Sequence, residues 1–420
     1  MKRKSYIWLI CLLVFLLIGV GVFFAIRKAA TSGVIPVLTN VPVESLETPA
    51  VTPEAAPSAE IIVEPEDPAT AEALTPESPD ASEGMENAQP GEEAPPEESP
   101  EPEALTKDGV HVHTYKDGVC TGCGQRPVFC TGFLPDEYYI DAKEQGRLDR
   151  YSYKVKNYMG YGEAELDKNM LVYVPYGYDE AKPYNVLVLV HGGGGDQDDW
   201  LNRDYTYGER VMSGKKIVDN MIEKGNCEPC IIVCPQLETP YCQGLISAIP
   251  QLRDELREYI LPFIVDNYST YAKDGSVESL QEARSHFALG GLSNGALFTF
   301  EGGMRYDFDL FAGYMALSGN GQPWNTVDLI QMEPFSNLPI QCLFTGAGTY
   351  NDVQQYYTQI GYDHFLQYEP RLKDGVNAWH VDVEGEHEWK VWLTDLYNAL
   401  PLLFQECTGA LGKGGNGLCQ

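Results

Sequence analysis

Residues 286–300 read HFALGGLSNGALFTF: an apolar run, a serine between two glycines, then a second apolar run. The first run has the length and composition of a buried strand. The second, continuing as NGALFTFEGGM, is compatible with a helix. Between them Gly291, Leu292, Ser293, Asn294 and Gly295 spell G-x-S-x-G. Small residues on both sides of the serine permit a sharp strand-to-helix turn that lifts its hydroxyl above the sheet edge, the geometry of a nucleophile elbow. Glycine-rich turns often contain serine, so the pattern gains weight only from the rest of the chain.

That surrounding chain alternates in a regular way. Apolar runs at 170–176, 184–192, 230–236, 311–319, 340–348 and 378–385 join 286–291 as strand candidates. Such near-continuous runs suit strands covered on both faces. Helical patterns lie between them, notably QLRDELREYILPFIVDNY at 251–268. The alternation predicts an α/β fold, a mostly parallel central sheet flanked by helices, over residues 130–408.

A serine nucleophile requires a base, and the base requires an orienting carboxylate. In α/β-hydrolases these follow the serine in the order acid, then histidine. LFTGAGTYNDV ends a strand run and offers Asp352, while VDVEGEHEWKVW ends the last one and offers His387. His380 falls within a strand run and reads as a packed histidine, and His364 lies in GYDHF ahead of it. Glu384 and Glu386 stand too near His387 in sequence to reach its far nitrogen easily. An early strand closes with VLVHGGGGDQDDW, four glycines after His191. Backbone amides can approach a ligand closely there, so the amides of Gly193 and Asn294 are the candidates for an oxyanion hole. No G-K-[ST] follows, which argues against a phosphate-binding loop.

The N-terminal third is different in kind. Between two basic clusters, Tyr6 to Ile26 form an uncharged, mostly apolar run long enough to span a bilayer. Lys2, Arg3 and Lys4 favour a cytoplasmic tip, so residues 1–28 are expected to be a signal anchor with an exported domain beyond. Cleavage near Ala29-Ala30 with secretion is the alternative. Residues 29–105 read as a disordered linker. Half of the 28 prolines lie between Pro36 and Pro102, and 18 acidic residues run from Glu44 to Glu103 without a Lys or Arg. Setting those aside reduces the formal charge from −32 to −14, a mildly acidic remainder that argues against a nucleic-acid partner.

Residues 106–128 contain H-x-H-x6-C-x2-C: His111, His113, Cys120 and Cys123. Two imidazoles and two thiols suit a tetrahedral structural zinc, with a Cys120–Cys123 disulfide or two free thiols in a flexible segment as the alternatives. The segment is similar to the short zinc-ribbon-like segments of some exported bacterial proteins. Cys230 and Cys234 flank IIV and read as buried strand residues. The total of 11 cysteines excludes complete intramolecular pairing. Residues 409–420 read as a flexible tail.

Taken together, residues 150–405 resemble carbohydrate esterase family 1, the feruloyl, acetyl xylan and esterase D-like enzymes of the α/β-hydrolase superfamily. The early loop matches the family's H-G-x-G-G-x-x-x-D-W through His191, Gly192, Gly194, Gly195, Asp199 and Trp200. DNYSTY (266–271) is similar to the segment before the nucleophile strand. GTYND is close to the acid-bearing G-T-N-D with one residue inserted, and EGEHEWKVW to the histidine-bearing ending. Asn294 stands where the family often has Met. The resemblance implies a serine esterase with Ser293, His387 and Asp352 as its catalytic residues and Trp200 at the substrate. It implies ester substituents of plant cell-wall polysaccharide as substrate, feruloyl ahead of acetyl, with no catalytic cofactor. Two other readings are an esterase or depolymerase for another ester, such as a polyhydroxyalkanoate, and a non-catalytic surface carbohydrate-binding protein on the same fold.

Overall fold

The computed structural model describes residues 112–237, 242, 244–321 and 323–407. The expected anchor (6–26), linker, His111 and tail lie outside the described residues. Among those described, no helix is long and apolar enough to cross a membrane.

Strands β1 (Tyr115–Lys116) and β2 (Val119–Cys120) form a small antiparallel hairpin. The main sheet is built from β3 (Arg147–Lys156), β4 (Glu165–Val174), β5 (Asn185–Val190), β8 (Cys230–Pro235), β9 (Phe287–Leu292), β10 (Gly313–Leu317), β11 (Cys342–Gly346) and β12 (Ala378–His380). A second short hairpin, β6 (Tyr205–Tyr207) and β7 (Arg210–Met212), stands apart from it. The order across the main sheet is β12-β11-β10-β9-β5-β8-β4-β3. From β12 to β8 neighbours are parallel; β4 and β3 are added antiparallel at one edge. This is the mostly parallel α/β sheet that the alternating pattern predicts, in the arrangement that the resemblance to α/β-hydrolases implies.

The apolar runs are continuous because successive side chains face two different cores. Val186, Val188 and Val190 of β5 point into one core; Leu187 and Leu189 point into the other. Helix α1 (Gly214–Glu223) and helix α8 (Trp389–Ala399) cover the second face through Ile217, Met221, Val391 and Leu396. The first face is covered by α2 (Leu245–Glu255), α3 (Leu261–Asn267), α5 (Asn294–Phe298), α6 (Pro323–Ile330) and α7 (Gln355–Tyr368), with α4 (Val277–Glu282) beside them. The helix expected over 251–268 begins earlier, at Leu245, and passes through a π-helical turn at Leu256–Ile260. Pro262, at the start of α3, lacks an amide hydrogen to continue the regular ladder, consistent with a register change there. Cys230 and Cys234 are buried in β8, as their flanking of an apolar run suggests.

Edge strand β3 has no counterpart among the sequence-based strands. It carries RLDRYSYKVK, whose inner half is apolar only at Tyr151, Tyr153 and Val155. A charged, alternating edge strand presents a much weaker signal than a doubly buried one.

Candidate active site

Ser293 sits at the carboxyl end of β9 and heads α5 with φ 51° and ψ −112°. A non-glycine residue holds such angles only where its surroundings fix them. Here the Ser293 amide donates to the Leu317 carbonyl (2.8 Å), while its own carbonyl accepts from Ala296 and Leu297 (3.1 Å each). The two glycines make the turn sterically feasible. A Cβ on Gly291 would stand 2.6 Å from the Gly295 carbonyl carbon, and one on Gly295 would strike the Val190 and His191 carbonyl oxygens. Gly295→Ala is therefore expected to cost at least about 1–3 kcal/mol through overpacking and to displace the serine. A thermal melt and an ester assay on the purified variant check this; a wild-type melting temperature with full activity would contradict it.

The histidine and the acid approach from two adjacent strands. Asp352 lies in the loop after β11 and His387 just before α8. The loops are laced together by backbone bonds from Thr349 to Val383 (3.0 Å) and from Tyr350 to Gly385 (3.1 Å). His387 Nδ1 lies 3.0 Å from Asp352 Oδ1. The carboxylate accepts three further bonds, from the Gly348 amide (3.0 Å), the Gln354 amide (2.9 Å) and the Ser318 hydroxyl (2.6 Å). Burial opposes its charge, yet the bonds from His387, Ser318, Gly348 and Gln354 prevail and lower its pKa to about 2. Asp352 is thus an ionised acceptor at neutral pH that holds a proton on His387 Nδ1 and leaves Nε2 as the basic nitrogen.

Ser293 and His387 line one open cleft of about 260 Å³, together with Gly192–Gly195, Leu292, Tyr205, Trp389 and Trp392. Gly193 lies against the elbow, where a Cβ would come within 2.6 Å of Asn294 Nδ2. The structure thus gathers Ser293, His387, Asp352, Gly193 and Asn294 around one place. His191 is a scaffold residue. Its Nε2 accepts from the Leu237 amide (2.9 Å), so Nδ1 carries the proton and donates to the Gly192 carbonyl (2.7 Å). His380 bonds Thr345 within the sheet (2.8 Å) and His364 packs beside Trp324 and Tyr368. Neither lines this cleft.

Trp200 requires a correction. Expected at the substrate, it is only 1% exposed, with its indole N–H donated to the Val190 carbonyl (3.1 Å) and its ring edge-on to Trp389 at 5.4 Å. A side chain without accessible surface cannot touch substrate directly; it supports Trp389 from beneath. The aromatic wall of the cleft is instead Trp389 stacked on Tyr205, with ring centroids 4.4 Å apart and planes 14° apart.

Two positioning residues escaped the sequence reading. Buried Ser318, at φ 48° beyond β10, receives a hydrogen bond from Trp392 Nε1 (2.8 Å) and passes its own to Asp352. The Trp392 ring also meets the His387 ring edge-to-face at 4.9 Å. Nothing local marks the serine in ALSG as special. Trp392, three residues into the last helix, could have been suspected from its spacing after His387.

Fold and cleft together give an α/β-hydrolase arrangement in which Ser293, His387 and the ionised Asp352 meet beyond the carboxyl ends of the parallel strands. Comparison with known proteins finds the same fold in solved feruloyl esterases. The chain is similar to the feruloyl esterase module from Clostridium thermocellum solved with sinapinate, at 24% identity and TM-score 0.56 over 67% of this chain and 97% of that one. A family 1 ferulic acid esterase from Anaeromyces mucronatus, in complex with ferulic acid, shares the fold at 20% identity and TM-score 0.51, over 66% of this chain and 98% of that one. In sequence, 284 residues are 29% identical to endo-1,4-beta-xylanase Y of Acetivibrio thermocellus; they cover 65% of this chain and only 24% of that relative. No family model matches the chain.

Proposed function

We propose that the protein is an exported, membrane-tethered serine esterase that removes feruloyl groups from plant cell-wall polysaccharide. The observation that carries the hydrolytic part is the strained Ser293 sharing a cleft with His387, whose Nδ1 is held 3.0 Å from ionised Asp352. Ser293 Oγ attacks the ester carbonyl as His387 Nε2 takes its proton. The Gly193 and Asn294 amides receive the negative charge that develops on the carbonyl oxygen. His387 then returns the proton to the departing sugar alcohol, leaving an acyl-serine. Water, deprotonated by the same nitrogen, attacks the acyl carbon and releases the acid and the serine. This acyl transfer requires no cofactor.

The choice of feruloyl over acetyl rests on the similarity to feruloyl esterases and on the stacked Tyr205–Trp389 wall, which offers a planar aromatic acyl group a face to pack against. Purified protein should turn over methyl ferulate readily and be labelled at Ser293 by a fluorophosphonate probe. Release of acetate from acetylated xylan with methyl ferulate left intact would overturn the choice of acyl group. Tethering rests on the apolar run between basic clusters at residues 6–26. Membrane fractions should contain the intact chain, and a mature N-terminus near residue 30 would show cleavage and secretion instead.

A further inference from the structure

The β1–β2 hairpin is too short to stand alone, since each strand has two residues. Its first turn, Asp117-Gly118, has positive φ at both positions (51° and 73°), the combination of a tight type I′ hairpin. The second reversal follows Cys120, where the Gly124 amide returns to the Cys120 carbonyl (2.9 Å) and the Cys120 amide reaches the Gln125 carbonyl (2.8 Å). Gly124 takes φ 73° there. Pairing of Tyr115 with Cys120, extended by Thr121 to Thr114 (2.8 Å), carries His113 back alongside this knuckle.

As a result His113, Cys120 and Cys123 present ligand atoms all within 4.8 Å of one another, with Cys123 Sγ 3.8 Å from His113 Nδ1. Zinc bonds of about 2.3 Å to sulfur and about 2.0 Å to nitrogen place tetrahedral ligand atoms roughly 3.5–3.8 Å apart. The gap between His113 and Cys123 therefore needs little adjustment, and the gaps to Cys120 must close by no more than about 1.3 Å. Cys120 is 2% exposed and the other two are half-buried. None of the three lines the Ser293 cleft. The hairpin is bonded to the hydrolase domain at distant points: His113 to Gly225 (2.8 Å), Asp117 to Glu406 (3.0 Å), Gly118 to Gln405 (3.1 Å) and Arg126 to Gly375 (2.7 Å).

We infer that His113, Cys120 and Cys123 form a structural zinc site that clasps the start of the catalytic domain to its final segment. Two thiolates and an imidazole are the donors that borderline-soft zinc selects, and the two thiol protons leave to solvent as the metal binds. The inference is independent of the reaction at Ser293.

Full-length protein, purified with reductant and dialysed after zinc addition, should retain roughly one zinc per chain. The Cys120→Ser/Cys123→Ser variant should lose it while keeping wild-type ester hydrolysis, and the segment around residue 120 should become sensitive to protease. Cobalt substitution of the unmutated protein supplies a test that does not depend on the variant folding: thiolate-to-cobalt charge-transfer and tetrahedral ligand-field bands are expected. Absence of retained metal, undiminished zinc in the double variant, or a Cys120–Cys123 disulfide that persists in zinc-treated reduced protein would each overturn the site.

Discussion

Ser293→Ala is expected to leave a folded protein with essentially no ester hydrolysis, a loss on the order of 10⁶-fold in turnover when one member of a serine triad is removed. Only a hydroxyl is lost. The strained backbone at residue 293 is held by bonds from its own amide and carbonyl, which alanine keeps. Circular dichroism and melting should therefore be near wild type while labelling by a fluorophosphonate disappears. His387→Ala should be about as damaging, because the serine then has no base. The double variant Ser293→Ala/His387→Ala should be scarcely worse than either single one, since residues that act as a unit do not add. A folded Ser293→Ala protein with wild-type turnover would reduce the elbow to a tight turn.

The second large effect is expected at Asp352. The carboxylate accepts at both oxygens: His387 and Gln354 on Oδ1, Ser318 and Gly348 on Oδ2. In Asp352→Asn one of those positions becomes an NH₂ group. If the amide oxygen stays with Ser318 and Gly348, the NH₂ faces His387 and favours the tautomer with its proton on Nε2. That nitrogen can no longer take the serine proton, so a loss on the order of 10⁴-fold is expected. Steady-state kinetics with methyl ferulate measure it, and a loss below tenfold would remove Asp352 from the orienting role. Stability supplies an independent readout. The Asp352 pKa falls from 3.8 unfolded to about 2 in the fold, worth about 2 kcal/mol. A depressed carboxylate stabilises the folded state fully above about pH 4, and the contribution disappears as pH falls towards 2. The stability gap between wild type and Asp352→Asn should narrow across that window; a gap independent of pH there would contradict the assigned hydrogen bonds.

Local pattern made much of this protein legible. The doubly buried strands announce themselves because both faces require apolar side chains, and the elbow because steric crowding at Gly291 and Gly295 excludes a Cβ. The order Ser293, Asp352, His387 followed from each residue lying just beyond an apolar run, as sheet topology requires of loops at one edge. Strand β3 was missed because an antiparallel edge needs only alternate apolar residues, and its Tyr, Lys and Arg content resembles a surface segment.

By itself the sequence determined the α/β class, the turn that exposes Ser293, and which loops carry its partners. These are properties of neighbours along the chain, set by burial period and by backbone sterics. Tertiary structure alone decided that Trp200 lies beneath the cleft rather than in it, that Tyr205 and Trp389 form its aromatic wall, and that Ser318 and Trp392 support Asp352. Those assignments depend on which side chains meet across dozens of residues, as Ser318 meets Trp392 across 74. No local periodicity encodes that meeting; it arises only when β10, β11 and α8 pack together.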